Sequence, residues 1–231
     1  MQNQYLPEGL LLATAQNREY TSSLAGLERA MQQGKILEAP AAMCDSDMNL
    51  YIDLGGIRGY MPREEVAYCR EGEALKQIAV ITRVGKPVCF KVIGLGEERG
   101  MPTAILSRRL AQIECRAAFL ADLVCGDIIQ AKVTHLEPFG AFVDIGCGIV
   151  SLLTVDCISV SRISHPADRF STGEYIPVVI RTIDREHDRI FVTHRELLGT
   201  WEENAAAFSP TETVSGIVRS IEDYGIFIEL A

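Results

Sequence analysis

Apolar and polar residues alternate with a period of two over several short stretches between residues 127 and 195. In the first stretch, Ile129, Ala131 and Val133 take every second position, and they alternate with the polar residues Gln130, Lys132 and Thr134. Such alternation is typical of a β-strand with one buried and one exposed face. The same criterion predicts four further strands, over residues 139–145, 149–155, 175–183 and 189–194. Five short strands with a helical insertion near residues 164–166 predict a small closed β-barrel.

The strand pattern recurs elsewhere in the chain, which indicates an internal repeat. Residues 127–145 read DIIQAKVTHLEPFGAFVDI and align without a gap with residues 212–230, ETVSGIVRSIEDYGIFIEL, 85 positions further on. A fainter copy begins at Gly34, where GKILEA matches GDIIQA at Gly126. Three repeats are therefore predicted. The third stops after two strands, which leaves unpaired strand edges, so we expect the natural protein to continue beyond Ala231.

Stretches with helical spacing separate the repeats. Apolar residues recur at intervals of three and four over residues 108–123, and a similar stretch over 196–208 is followed by Pro210. The predicted fold class is mainly β, with tandem five-stranded barrels of the OB-fold type joined by α-helical linkers. The predicted segments are a lead-in with a helix (1–33), a divergent first barrel (34–107), a linker helix (108–125), a second barrel (126–195), a linker helix (196–210) and the start of a third barrel (211–231).

Composition and charge narrow the classes of function. The formal net charge of −9 argues against nucleic-acid binding through a wholly basic surface. Any nucleic-acid binding should therefore depend more on base stacking and on local positive charge. The seven cysteines include no Cys-x-x-Cys pair and the four histidines are dispersed, so we expect no disulfide framework, no metal site and no cofactor. No apolar run could span a membrane and no signal peptide is visible, so a cytoplasmic protein without a membrane partner is expected.

No sequence motif marks an enzyme. The chain lacks a Gly-x-Ser-x-Gly elbow and a phosphate loop of the Gly-x-x-x-x-Gly-Lys type. The glycine-rich stretch at residues 94–100, GLGEERG, has two adjacent glutamates that would repel a phosphate, and it predicts a hairpin turn instead. We therefore expect no catalytic residues and a non-enzymatic function.

Two aromatic residues at one end of the second predicted strand call for an explanation. Phe139 and Phe142 have opposite parity, so a regular strand would point them to opposite faces. A bulge or a bend at Gly140 could bring both rings to the outer face, where they would stack on unpaired bases. The alternative is that one or both rings fill the barrel core, with Phe142 the more buried of the two.

Residues 126–195 resemble the S-one domain, the RNA-binding module that is repeated in the largest protein of the bacterial small ribosomal subunit. The stretches that carry the resemblance are GDIIQAKVTHLEPFGAFVDIGCG and TGEYIPVVIRTIDREHDRIFVTHRE. The third repeat matches over its short length, and the first is a divergent relative with an insertion around residues 63–83. The resemblance implies OB-fold barrels that bind RNA.

The resemblance also implies which residues contact RNA. The two aromatic positions of the family correspond to Phe139 and Phe142. A histidine of the family is replaced by Thr154, which removes a ring from the site. The family's aspartate and arginine correspond to Asp184 and Arg189. Lys132, on the outer face of the first strand, is a further candidate for a phosphate contact.

The other repeats differ at these positions. The third offers Tyr224 and Phe227 as a second aromatic pair. The first offers only Met48 and Tyr51, with Asn49 in place of the glycine and Pro62 at the histidine position, so we expect it to dock on a partner or on a neighbouring barrel.

Three functions remain open from the sequence. The leading hypothesis is non-enzymatic binding of single-stranded RNA such as mRNA, in translation with the small ribosomal subunit and with proteins of that subunit as further partners. The alternative is a protein-interaction scaffold with incidental RNA contact, which the acidic balance and Thr154 favour. A third is the accessory part of a ribonuclease. At the residue level, Arg189 could instead pair with an acid of the turn DREHD, and Trp201 could anchor a linker helix against a barrel.

Overall fold

The computed structural model describes residues 5–70 and 72–230. These residues divide into two compact units. The first contains the described residues up to Leu123 together with Asp144–Val150, and the second contains Val124–Val143 and the described residues from Ser151 onward.

The first unit contains a closed five-stranded barrel. Its strands are β1 (Leu37–Cys44), β2 (Leu50–Leu54), β3 (Ile57–Met61), β4 (Pro87–Glu98) and β5 (Met101–Ser107), in the order β1-β2-β3-β5-β4. Alternate residues of β2 and β3 are buried, as the period-two pattern requires. The helices are α1 (Ala15–Thr21), α2 (Leu24–Gln32), α3 (Gln77–Ile81) and α4 (Arg108–Asp122). The barrel core is filled by large apolar side chains that include Leu50, Met61, Phe90 and Leu106.

A buried set of charges also lies in the first unit. The guanidinium of Arg108 donates to both carboxylate oxygens of Glu8, at 2.6 and 3.0 Å. The Asp144 carboxylate accepts hydrogen bonds from the backbone N–H groups of Glu8, Gly146 and Gly148, at 2.8 to 2.9 Å. Burial, followed by the charge of Glu8, raises the pKa of Asp144 from its ordinary value of 3.8 to about 7.

The second unit contains a five-stranded sheet that is nearly closed, apart from the strand-end residues Asp144 and Val150, which belong to the first unit. Its strands are β6 (Ile128–Glu137), β7 (Gly140–Asp144), β8 (Val150–Thr154), β9 (Tyr175–Asp184) and β10 (Arg189–Thr193), in the order β10-β9-β6-β7-β8. The Ser151 hydroxyl donates to the Ile190 carbonyl at 2.6 Å, which joins the two edge strands β8 and β10. The inward residues Ala131, Val133 and Val143 are fully buried.

A two-stranded hairpin completes the second unit. Strands β11 (Gly216–Glu222) and β12 (Gly225–Leu230) pair antiparallel, with Glu222 opposite Gly225. Asp223 and Tyr224 thus form a two-residue turn.

The linker between the second barrel and this hairpin is less helical than the sequence predicted. A 3₁₀ turn (Arg195–Leu198) is followed by the five-residue helix α5 (Trp201–Ala205), rather than by one helix over residues 196–208. Gly199 interrupts the helix because its φ of 78° lies in the left-handed region. Trp201 was expected to anchor the linker against a barrel, but its side chain is 67% exposed.

The predicted fold class is confirmed. The chain is mainly β, with two five-stranded barrels of OB type and helical connections. The hairpin turn expected within residues 94–100 is also present, since Glu98 pairs with Met101 across it. In the part of the chain that the structure describes, no helix has the length and apolar character needed to cross a membrane.

Candidate nucleic-acid interface

The turn between β6 and β7 presents the first aromatic ring of the candidate site. Phe139 lies in this turn, one residue before β7 begins at Gly140, and its side chain is 54% exposed. The alternative that Phe139 fills the barrel core is therefore wrong. Of a bulge and a bend, it is the bend of the hairpin that turns the ring outward, because a residue in a turn is not bound by the alternation of a strand.

Gly140 is needed for a different reason from the one the sequence suggested. A Cβ atom at this position would lie 2.5 Å from the carbonyl oxygen of Leu153 and 3.0 Å from Cα of Thr154. The end of β8 therefore passes directly against Gly140, and the Val155 N–H donates to the Phe139 carbonyl at 3.0 Å. This close approach fixes the backbone that carries Phe139 and places Thr154 beside it.

Three rings form a cluster on the outer side of this hairpin. The centroids of Phe139 and Phe142 are 6.0 Å apart with the rings perpendicular. The imidazole of His135 stacks on Phe142 at a centroid distance of 6.3 Å and an interplanar angle of 25°. Phe142 is half-buried, and its carbonyl accepts a hydrogen bond from the Thr134 hydroxyl at 3.0 Å. The cluster offers an aromatic surface that an unpaired base could stack on.

His135 was missed as a site residue by sequence reasoning. The repeat gave no signal for it, because the residue aligned with His135 is Ser220; in the structure Ser220 lies opposite Phe227. A two-residue turn thus places His135 opposite Phe142. His135 Nε2 also lies 2.7 Å from Glu137 Oε1, which orients the ring. The S-one resemblance implies a histidine on β8, where this chain has Thr154. His135 supplies an imidazole ring on β6 instead.

Thr154 ends β8 and is half-buried. Its side chain forms a hydrogen bond with the Asp156 carboxylate, and this bond is the main cause of the lowered pKa of Asp156. Thr154 therefore contributes a polar edge beside the aromatic cluster instead of a ring.

Asp184 and Arg189 lie opposite each other at the tip of the β9–β10 hairpin. The Asp184 carboxylate accepts hydrogen bonds from the backbone N–H groups of Glu186 and His187, both at 3.1 Å, and contacts the His187 imidazole at 2.9 Å. These bonds, led by that from the His187 backbone, lower the pKa of Asp184. The Asp184 carboxylate thus stabilises the turn and does not orient Arg189.

Arg189 is exposed, and among residues 5–70 and 72–230 no ion pair of its guanidinium is found. The alternative that Arg189 pairs with an acid of its own turn is therefore not observed. The Ser151–Ile190 hydrogen bond brings the start of β10 next to β8. Arg189 can offer a positive charge on the strand that neighbours β8.

Lys132 lies on the outer face of β6, directly opposite Tyr175 of β9. Its ammonium nitrogen is 5.2 Å from the centroid of the Tyr175 ring, a cation–π distance. Lys132 and Thr134 share a strand face because they are two residues apart. Tyr175, which the sequence reasoning also missed, thus adds a partly exposed ring on the neighbouring strand.

The third repeat reproduces the aromatic pair. Tyr224, in the turn, is 82% exposed, and its ring centroid lies 6.0 Å from that of Phe227 at an angle of 84°. This geometry is nearly the same as that of Phe139 and Phe142. In the first repeat, Met48 packs partly against the barrel core, so only Tyr51 remains at an aromatic position of the family.

No metal centre is visible within the described ranges, where no group of three histidine, cysteine or acidic side chains could hold an ion. The arrangement can stack bases and neutralise one or two phosphates.

Comparison with known proteins identifies the class of the second barrel. Residues 125–195 match the family model described as "S1 RNA binding domain", so this barrel is an S1 domain, and the resemblance to the S-one family is confirmed. Over most of its length, the chain is also similar to the small ribosomal subunit protein bS1 of several bacteria.

The relatives are longer than this chain. The bS1 protein of Leuconostoc lactis is 32% identical over 186 residues, which cover 78% of this chain and 41% of the relative. That of Staphylococcus aureus strain COL is 28% identical over 228 residues, which cover 96% of this chain and 56% of the relative. A solved multidomain protein with nucleic acid binding domains from Streptococcus pneumoniae aligns with 85% of this chain and 58% of its own, at 13% identity and a TM-score of 0.24. The chain spans roughly half the length of the two curated relatives.

Proposed function

We propose that this protein binds single-stranded RNA through the aromatic cluster of its second barrel. The observation that carries the proposal is the exposed ring of Phe139, which lies perpendicular to Phe142, while His135 stacks on Phe142. Base-on-ring stacking contributes roughly 1–3 kcal/mol per base and does not require a particular sequence. Arg189 and Lys132 add local positive charge for phosphates.

Single-stranded RNA suits this surface better than a duplex. The faces of paired bases are already covered by stacking, whereas the bases of a single strand can be splayed onto protein rings. A chain with a net charge of −9 also has little general attraction for the regular phosphate array of a duplex. Tyr224 and Phe227 supply a second aromatic pair further along the chain, and two weak sites on one chain raise the overall affinity for a longer strand.

We further propose that the RNA is messenger RNA and that the protein acts in translation with the small ribosomal subunit. This step is supported by the names of its relatives, which are small ribosomal subunit proteins. On this proposal the protein is not an enzyme. Incubation of labelled RNA with purified protein and Mg²⁺ should leave the RNA at full length. In a sucrose gradient of cell extract, the tagged protein should sediment with small subunits and carry mRNA.

The binding experiment is a titration of fluorescent single-stranded RNA with the full chain. The double variant Phe139→Ala/Phe142→Ala is expected to weaken binding by at least tenfold. Its matched control is Tyr51→Ala/Tyr60→Ala, which removes two rings from the first barrel and is expected to leave RNA affinity unchanged. The scaffold alternative predicts the same affinity for the Phe139→Ala/Phe142→Ala variant as for the wild type.

A further inference from the structure

A row of apolar and aromatic side chains crosses the outer face of the first barrel. Met43 lies opposite Tyr51, Tyr51 opposite Tyr60, and Tyr60 opposite Ile105, on four neighbouring strands. Residues directly opposite on paired strands point to the same face. These four residues therefore form one continuous surface, here called the tyrosine row.

The tyrosine row is open along its length. Met43 is 53% exposed and Ile105 is 39% exposed, while both tyrosines are half-buried. The rings of Tyr51 and Tyr60 have centroids 5.6 Å apart and are tilted by 55°. A groove of about 660 Å³ runs beside Met43 and Tyr51, and Met101 forms part of its wall. An aromatic surface of this kind is more typical of a binding face than of an inert barrel wall.

The charges around the tyrosine row are mostly negative. The Tyr51 hydroxyl donates to the Asp45 carboxylate at 3.4 Å. Burial comes first among the causes that raise the pKa of Tyr51 and of Tyr60, and the charge of Asp45 adds to it in both cases. Glu64 acts in the same direction on Tyr60, and Glu98 on Tyr51. These carboxylates would repel the phosphates of RNA.

One positive charge on this face is already engaged. Arg58, which shares the outer face with Tyr60, pairs with Glu98 at 3.4 Å. The tyrosine row thus differs from the aromatic cluster of the second barrel, where Arg189 is exposed. Rings surrounded by carboxylates suit a cation, because the ring face and the acids both attract positive charge.

We propose that the tyrosine row binds a basic segment of a partner protein, with arginine side chains over Tyr51 and Tyr60. The acids Asp45 and Glu64 at its edge would neutralise these arginines, whereas Glu98 already pairs with Arg58. The proposal is independent of RNA binding by the second barrel, since the residues of the two sites do not overlap.

The test is a titration of a fluorescein-labelled ten-residue peptide of alternating arginine and glycine with the full chain, at about 0.15 M salt. The wild type is expected to bind. Tyr51→Leu/Tyr60→Leu keeps apolar bulk but removes the ring faces, and is expected to weaken peptide binding by about tenfold. Phe139→Ala/Phe142→Ala should bind the peptide like the wild type, which separates this site from the RNA site.

Charge reversal separates a specific site from general attraction to an acidic chain. Glu64→Lys/Glu98→Lys should weaken peptide binding by more than tenfold. Glu28→Lys/Glu73→Lys changes the net charge equally at two exposed positions outside the row and should alter binding by less than about twofold. The proposal is overturned if the wild type does not bind, if both reversals weaken binding equally, or if the leucine variant binds unchanged. A loss of single-stranded RNA affinity in the leucine variant would assign the row to RNA instead.

Discussion

At the scale of single residues, a short local sequence pattern determines the relative placement of the two aromatic rings. Phe139 and Phe142 belong to a five-stranded sheet, and Tyr224 and Phe227 belong to a two-stranded hairpin, yet both pairs have centroids 6.0 Å apart and nearly perpendicular rings. What the two share is a two-residue turn followed by glycine. The ring pair is therefore set by the hairpin itself and does not need a closed barrel.

The stacked histidine provides a prediction for RNA affinity. His135→Ser is expected to weaken binding of single-stranded RNA by about fivefold, because it removes the ring behind Phe142. The converse change, Ser220→His, places a ring opposite Phe227 and is expected to strengthen binding. Fluorescence anisotropy measures both. Unchanged affinity of His135→Ser would show that this ring does not take part.

Gly140 provides a prediction for stability. Gly140→Ala puts a methyl group 2.5 Å from the Leu153 carbonyl oxygen, and it should lower the free energy of unfolding by about 1–3 kcal/mol. Gly225→Ala is the matched control at the same position of the third repeat, where a Cβ atom would meet nothing within 4 Å. Urea unfolding of both variants measures the difference. Equal stability of the two would contradict the close approach of β8.

At the scale of elements, the sequence predicted which segments form strands better than it predicted the environment of each residue. Alternation predicted all five strands of the second barrel, because one face of each is buried against a single core. It placed Phe139 inside a strand, since periodicity does not show where a turn ends and a strand begins. It also predicted one linker helix over residues 196–208, because apolar spacing does not report the left-handed backbone of Gly199. Tyr60 was missed, since it does not align with an aromatic position of the repeat.

The buried Asp144 provides a prediction for the pH dependence of folding. Its pKa is about 7 in the folded chain and near 3.8 when unfolded. Between about pH 4 and pH 7 the folded state therefore holds a proton that the unfolded state has released, so this group makes the unfolding free energy fall as pH rises. Asp144→Asn removes that contribution.

The measurement is the unfolding free energy of the wild type and of Asp144→Asn at several pH values from about 4 to 7. The wild-type value minus that of the variant is expected to decrease with rising pH. A difference that stays constant or increases would show that hydrogen bonds from the backbone outweigh burial at this carboxylate.

At the scale of the whole molecule, an acidic chain that binds RNA should show weak salt dependence. Few cations lie at the aromatic cluster, so the slope of log K against log[salt] for single-stranded RNA is expected to be about −1 to −2. Arg189→Gln should make this slope shallower by about 0.7. Phe142→Ala should instead lower the affinity at every salt concentration and leave the slope unchanged. A steep slope in the wild type would indicate a basic surface elsewhere on the chain.

The central claim is that an RNA base stacks on the ring at position 139, and tryptophan fluorescence tests this contact directly. The chain contains a single tryptophan, Trp201, so Phe139→Trp combined with Trp201→Phe moves the only strong fluorophore into the site. Addition of single-stranded RNA is expected to quench this variant, with a midpoint equal to the Kd from anisotropy. Bound RNA that leaves the fluorescence at position 139 unchanged would contradict the account.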